Sequence, residues 1–489
     1  MTATLLAAGL AALPAQAQAP FTPAPVPAPP QDPAVAAVLA AVSPARIEQR
    51  IRTLVGFGTR HTASDTRSDS RGIGAARRWI ERELRACSAA TGGQLQVGTQ
   101  VWTEPAGQRL AAPTELVNVV ATLPGTSATG QARLLVVSGH YDSRNSDVMD
   151  AQGEAPGADD DASGTAVVME LACTMAAQRF DATLVFLAVP GEEQGLLGAA
   201  HWAREARRQG LRVEGMITND IVGSPVGDFG QRAPKEIRLF ADGVDPLLRL
   251  LVQAQANRPN AMDAAEADPA ADVNRPDAAT RAALQAIALA GGSEDLPTLQ
   301  FGRHLKAAAE AHLPGFTVNL IQRRDRYLRG GDHLPFLERG YAAVRYTEPF
   351  ENFRHQHQNL RREGDVQYGD LPEFVDFGYV ADVARVNAAG LATLALAPQP
   401  PREVRLEAGE LTNDSTLRWA ANPEPAAQLA GYRVVWRRTD AAVWQHALDV
   451  GPAVTRVTVP VSKDNVVFGV QAVSARGHAS LASFPLPAR

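Results

Sequence analysis

Cysteine is nearly absent from this chain. Only Cys87 and Cys173 occur in 489 residues. Two thiols cannot build a four-cysteine zinc site. Both fall on apolar helix patterns, which favours two buried free thiols, although an oxidising compartment would allow them to pair. An excess of positive charge is missing as well. The formal net charge of −6 gives no reason to expect nucleic acid or an anionic membrane as partner. Beyond the N-terminus no apolar run reaches membrane-spanning length, so no membrane span is expected and the mature chain should be soluble. There is no Gly-x-Ser-x-Gly elbow of a serine hydrolase and no His-Glu-x-x-His zinc motif.

What is present reads as globular: 45% hydrophobic and 20% charged residues. The length implies two or three domains. Residues 1–19 carry a short apolar core and the small-x-small steps Ala15-Gln16-Ala17 and Ala17-Gln18-Ala19. That is how the end of a secretory signal reads, although no basic residues precede it. The expected destination is the periplasm or the exterior. Residues 20–33 are rich in Pro and Ala and read as an extended linker. Residues 34–398 alternate helical and buried-strand patterns. A Pro-rich boundary at Ala397–Arg402 then separates them from residues 401–489, where short strands alternate.

The stretch Leu134–Gly164 organises the larger part. The apolar run Leu134–Val137, closed by Gly139, suits a fully buried strand. His140 and Asp142 follow it, and a loop then delivers Asp159, Asp160 and Asp161 before a helix that runs to about Gln178. A second buried strand, Thr183–Val189, ends in Pro190-Gly191-Glu192-Glu193, and a third, Gly215–Val222, carries Asp220. Ala342–Tyr346 is a fourth strand, and Phe374–Leu396 a long closing helix. Residues 255–295 are Ala-, Asp- and Pro-rich and suggest an insertion over the site. Acidic and His groups thus gather at the carboxyl ends of successive strands, where open α/β sheets place their sites. A His with several carboxylates and no nearby Cys suits a divalent ion such as zinc. Asp142, two residues from His140, can orient a ligating imidazole. Adjacent Glu192 and Glu193 can divide ligand and proton-acceptor roles.

The ordered motifs His140-x-Asp142, Gly157-Ala-Asp-Asp-Asp-Ala-Ser-Gly164, Glu192-Glu193-x-Gly-Leu-x-Gly198, Asn219-Asp220, Gly331-Asp332-His333-x-x-Phe336 and a late His resemble the di-zinc exopeptidase family of bacterial leucyl aminopeptidases and glutamate carboxypeptidase. The resemblance spans about residues 44–397. It implies an α/β fold with a mixed, mostly parallel sheet flanked by helices, two zinc ions per chain and a peptide substrate. By matched position His140 and Asp220 would hold one zinc and Glu193 with His357 the other. Asp159 would bridge them, Asp142 would orient His140, and Glu192 would be the general base. His355 competes with His357 for the last ligand position. His333 reads as a substrate-side or supporting residue. Tyr327 is a candidate donor to the oxyanion. The family resemblance also implies a cis peptide bond after the bridging aspartate, here between Asp159 and Asp160.

The expected activity is removal of N-terminal residues from peptides by a metal-activated water. A carboxypeptidase of the same fold is the alternative, with Arg323, Arg324, Arg326 and Arg329 available to a substrate carboxylate. An inactive binding or adhesion protein is the other. The tail resembles a fibronectin type III domain, with Trp419, Tyr432 and Phe468 spaced like the core aromatics of a β-sandwich. It is expected to position the enzyme or engage a protein or surface partner.

Overall fold

The predicted buried strands form the centre of one eight-stranded sheet. The computed structural model describes residues 22–127, 129–242, 297–425 and 427–488. The signal-like residues 1–19 and the expected insertion at 255–295 lie outside them. A short strand β1 (Ala24–Pro25) precedes helices α1 (Pro33–Ala41), α2 (Pro44–Val55) and α3 (Gly72–Ala90). The predicted break at Ser43-Pro44 separates α1 from α2. Ser43 caps α2 by accepting from the Arg46 amide, and Pro44 occupies the first turn, where its missing N–H costs nothing. Then come β2 (Gln96–Glu104), β3 (Thr114–Leu123), β4 (Arg133–His140), α4 (Ala162–Met175), β5 (Thr183–Val189), α5 (Leu197–Arg208), β6 (Arg212–Asn219) and β7 (Glu236–Ala241). After residue 296 follow α6 (Pro297–His312), β8 (Thr317–Ile321), α7 (Leu334–Glu338), β9 (Ala343–Thr347), the hairpin β10 (Arg361–Glu363) and β11 (Val366–Tyr368), and α8 (Phe377–Ala395).

The sheet order is β2-β3-β5-β4-β6-β9-β7-β8. β4 pairs in parallel with β5 and β6, β6 with β9, and β7 with β8, while β2–β3, β3–β5 and β7–β9 are antiparallel. The sheet is therefore mixed and mostly parallel. Leu135 and Val137 of β4 and Leu184, Phe186 and Ala188 of β5 pack into the core shared with α1–α4, α6 and α8. Val136, Val185, Leu187 and Val189 face the opposite core with α5 and α7. Alternate residues are thus buried on both faces, which is why these strands read as unbroken apolar runs. Among the described residues no helix is long and apolar enough to cross a membrane.

Cys87 of α3 and Cys173 of α4 form a disulfide. The expectation of two free thiols is therefore corrected. Both cysteines lie on the apolar faces of their helices, but those faces pack against each other, which brings the sulfurs together.

Beyond Ala397 the chain forms β12 (Arg402–Glu407), β13 (Ser415–Ala420), β14 (Leu429–Arg438), β15 (His446–Val450), β16 (Arg456–Val459), β17 (Val466–Ser474) and β18 (Leu486–Ala488). They build two four-stranded sheets, β1-β15-β14-β17 and β16-β13-β12-β18. Trp419 and Leu417 from one sheet and Tyr432, Trp436 and Phe468 from the other share one core. Trp419 meets Tyr432 edge-on at 5.2 Å. The Pro-rich N-terminal segment is not a free linker. Ala24 and Pro25 pair with Ala447 and His446. Asp32 caps α1 and receives Arg476 and His478 Nε2, the latter at 3.0 Å. Residues 24 and 25 thereby form a strand of the C-terminal module.

Candidate metal centre

The site lies at the carboxyl ends of β4, β5 and β6, closed on one side by the segment after β9. β4 ends at His140, which is fully buried. Its Nε2 lies 3.1 Å from Asp160 Oδ1 and 3.9 Å from Asp220 Oδ1. His357 Nε2 lies 2.8 Å from Asp160 Oδ2 and 3.0 Å from Glu193 Oε1. Two groups of potential ligands result, His140–Asp160–Asp220 and Asp160–Glu193–His357. They share Asp160, which gives one oxygen to each.

The bridging position is a correction. The sequence reading gave it to Asp159, but three successive aspartates point three ways. The Asp159 side chain turns away from both groups and accepts from the Gly223 amide at 2.6 Å and from Ser163. Burial raises its pKa to about 7. Asp161 caps α4 by accepting from the Gly164 amide at 2.9 Å, and it also accepts from the His140 amide. Only Asp160 faces the cluster. The one non-proline cis peptide bond among the described residues joins Asp160 to Asp161, one residue later than expected.

The donor set fits divalent cations. His140 Nε2 and Glu193 Oε1 are buried with no properly aligned hydrogen bond despite their close neighbours. Each converges with the other ligand atoms of its own group, as ligands of an ion do. Nitrogen and oxygen donors without sulfur suit zinc. Burial alone would lower His140, but Asp161, Asp142, Asp160 and Asp220 around it raise its pKa well above the usual range. His357 is desolvated too, yet Glu193 and Asp160 push it up to about 10.

Asp142 supports the cluster from behind. It is fully buried, its Oδ1 lies 3.4 Å from His140 Nδ1, and it accepts from the amides of Glu192 and Glu193 and from Thr62. Glu192 is partly exposed on the wall of a cleft of about 810 Å³ that opens over the cluster. Burial, reinforced by Asp220, Glu193 and Asp332, pushes its pKa well above the carboxylate range.

Three candidates fall elsewhere. His355 stacks on Phe374, with ring centroids 3.6 Å apart, and is not in either group. His333 is fully buried away from the cleft and bonds the Arg324 carbonyl at 2.7 Å; burial lowers its pKa to about 4. Tyr327 is 79% exposed, with Arg323 over its ring, and does not line the cleft. The arginines considered for a substrate carboxylate are largely engaged. Arg326 and Arg329 bind Glu351 at 2.8 and 2.7 Å, and Arg324 binds Glu338.

Residues without a motif complete the site. Asp370 accepts from the amides of Asp159 and Asp160 at 2.7–3.0 Å and so fixes the bridging loop. Arg60, fully buried, donates to the carbonyls of Tyr141, Pro156 and Gly157. Gln356 donates to Asp160 Oδ2. Arg345 binds Asp220 at 2.9 Å.

Residues 118–272 match the family described as Peptidase family M28. The chain is 44% identical over 461 residues to a probable zinc metalloprotease of Leptosphaeria maculans, covering 94% of this chain and 98% of that protein. It is also 44% identical over 454 residues to a probable zinc metalloprotease of Pyricularia oryzae, covering 92% and 84%. Among solved structures it is similar to the Legionella pneumophila LapA aminopeptidase, at 16% identity and a TM-score of 0.48, over 77% of this chain and 78% of that one. With more than nine-tenths of its length matched to the two probable zinc metalloproteases at 44% identity and residues 118–272 matching the family model, the chain belongs to peptidase family M28.

Proposed function

We propose that the chain is a secreted or periplasmic zinc metalloprotease that acts as an aminopeptidase, with two zinc ions per chain. The observation that carries this reading is the position of Asp160, with one oxygen toward His140 and Asp220 and the other toward Glu193 and His357. The names of the relatives, probable zinc metalloproteases, support zinc. When bound, zinc would acidify a water and polarise the scissile carbonyl.

The chain's own residues do the rest. His140, Asp220, Glu193 and His357 would hold the ions, with Asp160 offering one oxygen to each group. Asp142 fixes the tautomer and orientation of His140. Glu192 makes no contact in either ligand group, so its carboxylate is free to take a proton from the attacking water and return it to the leaving amine. Cations beside it would lower its raised pKa, because a bound ion reverses the local charge balance. The C-terminal module, proposed to be fibronectin type III-like, contributes no residue to either ligand group and serves a partner or surface.

A panel of aminoacyl amides with free and N-acetylated termini tests the reading. Cleavage restricted to the free amines is expected. Cleavage of blocked peptides with a free C-terminal carboxylate would establish the carboxypeptidase alternative, and a chain that binds zinc but cleaves neither would leave only a binding role.

A further inference from the structure

Arg345 has no part in the mechanism above, yet it is a fully enclosed cation beside the cluster. It lies on β9 and is fully buried. Its Nη2 binds Asp220 Oδ1 at 2.9 Å and reaches the Asp220 carbonyl at 3.3 Å. Its Nη1 turns the other way, to Asp325 Oδ2 at 3.2 Å and the Gly330 carbonyl at 2.6 Å. Asp325 is itself buried and accepts from Arg326. Between these two anchors the chain supplies Arg326, Leu328 and Arg329 to the cleft wall. At Gly331 a Cβ would stand 3.0 Å from Arg345 Nη1 and 3.2 Å from Asp220 Oδ2. The loop backbone therefore rests directly on the ion pair. Among the described residues the other ligand group is held differently: Arg109 donates to the Glu193 carbonyl at 2.7 Å, and Arg144 Nε is 3.6 Å from Glu193 Oε2 without a hydrogen bond.

We propose that Arg345 is a positioning residue that couples ion binding at the His140–Asp220 group to the order of the cleft loop 325–330. The inference rests on the two-zinc reading above. Asp220 Oδ1 is shared between a guanidinium and the ion position. When a cation draws on that oxygen, the guanidinium shifts its charge-assisted bonds toward Asp325 and Gly330, and the loop is held more firmly. Linkage makes the effect reciprocal. Weakening the Asp325 end leaves Arg345 to compete with the ion for Asp220, so zinc binds there more weakly.

The loop carries its own reporter, because trypsin cuts after Arg326 and Arg329. The full chain, stripped of metal and titrated with zinc, would be digested briefly and the cuts at these two sites followed by mass spectrometry. Zinc affinities would be measured in parallel by competition with a chelating dye. Zinc is expected to slow cutting of the parent at both sites by at least about fivefold, the lower end of ordinary allosteric couplings. Asp325→Asn should lose that protection and bind one of its two zincs at least about fivefold more weakly. Glu338→Gln, which removes only the exposed partner of Arg324, should behave as the parent. If Asp325→Asn does not fold, Arg345→Lys serves instead, because one ammonium cannot span both carboxylates, and loss of zinc protection is again expected. Two bound zincs with no protection of the loop, or full protection in either variant, overturn the coupling alone. A chain that takes up no zinc overturns the metal reading, and the coupling with it.

Discussion

Replacing Asp370 with alanine tests how the bridging aspartate is held. Asp370 touches no candidate ion position. Its carboxylate accepts from two amides, Asp159 N at 2.8 and 3.0 Å and Asp160 N at 2.7 Å. Hydrogen bonds to a charged group contribute about 1.5–3 kcal/mol each, so two amount to about 3–6 kcal/mol. In the metal-free chain much of this is offset. Burial, with Asp159 and Asp160 nearby, pushes Asp370 well above the carboxylate range, and a raised carboxylate pKa opposes folding once pH exceeds its unfolded value. Cations at the cluster remove that penalty. Asp370→Ala should therefore cost little stability without zinc and much more with it. Because Asp160 serves both ligand groups, both zinc affinities should fall, by about the 10–100-fold typical of groups that orient ligands. Urea denaturation with and without zinc gives the first quantity and dye competition the second. Affinities within about twofold of the parent, less than that range, would refute the reasoning and leave Asp370 with a purely structural role.

Glu192→Gln should keep both zincs and lower kcat by about 10²–10⁴-fold, since it removes a proton carrier and no ligand; near-normal kcat would reassign the base, and steady-state assays with metal analysis decide. Zinc uptake near pH 7 should release protons from His140 and His357, whose pKa values are raised in the metal-free chain, and affinity should fall as pH falls. Calorimetry in buffers of different ionisation enthalpy counts those protons, and release of none would contradict the raised values. Cys87→Ser with Cys173→Ser should cost about 2–4 kcal/mol, because the bond closes a long loop between residues 86 apart in sequence; an unchanged urea midpoint would show that the crosslink adds nothing.

The catalytic domain was legible because its strands are buried on both faces. Thr183–Val189 was predicted with the bounds it has, since every residue in it is apolar or β-branched and a glycine turn follows. β7 and β8 passed unnoticed. They are short strands at one edge of the sheet whose apolar runs are interrupted by Arg238 and Asn319, which pair with each other across the ladder. At the site, strand ends announced His140, Glu192, Glu193 and Asp220. The spacing could not say which of three consecutive aspartates faces the cluster, because that depends on which one caps α4. Counting back from the cap would have helped: Asp161 accepts from the amide three residues on, so the residue before it is the one turned inward. Asp370 lies 211 residues from the amide it holds, and nothing local marks it. The disulfide was missed for a similar reason, since the meeting of α3 and α4 is a property of packing and not of spacing.

The most direct test of the account is zinc stoichiometry in two neighbouring variants. Native mass spectrometry of the parent should find two zincs per chain. Asp159→Asn should still bind two, because its side chain faces Gly223 and Ser163. Asp160→Asn should lose at least one and weaken the other, because both ligand groups contain Asp160. Two tightly bound zincs in Asp160→Asn, with loss in Asp159→Asn, would contradict the shared-ligand centre.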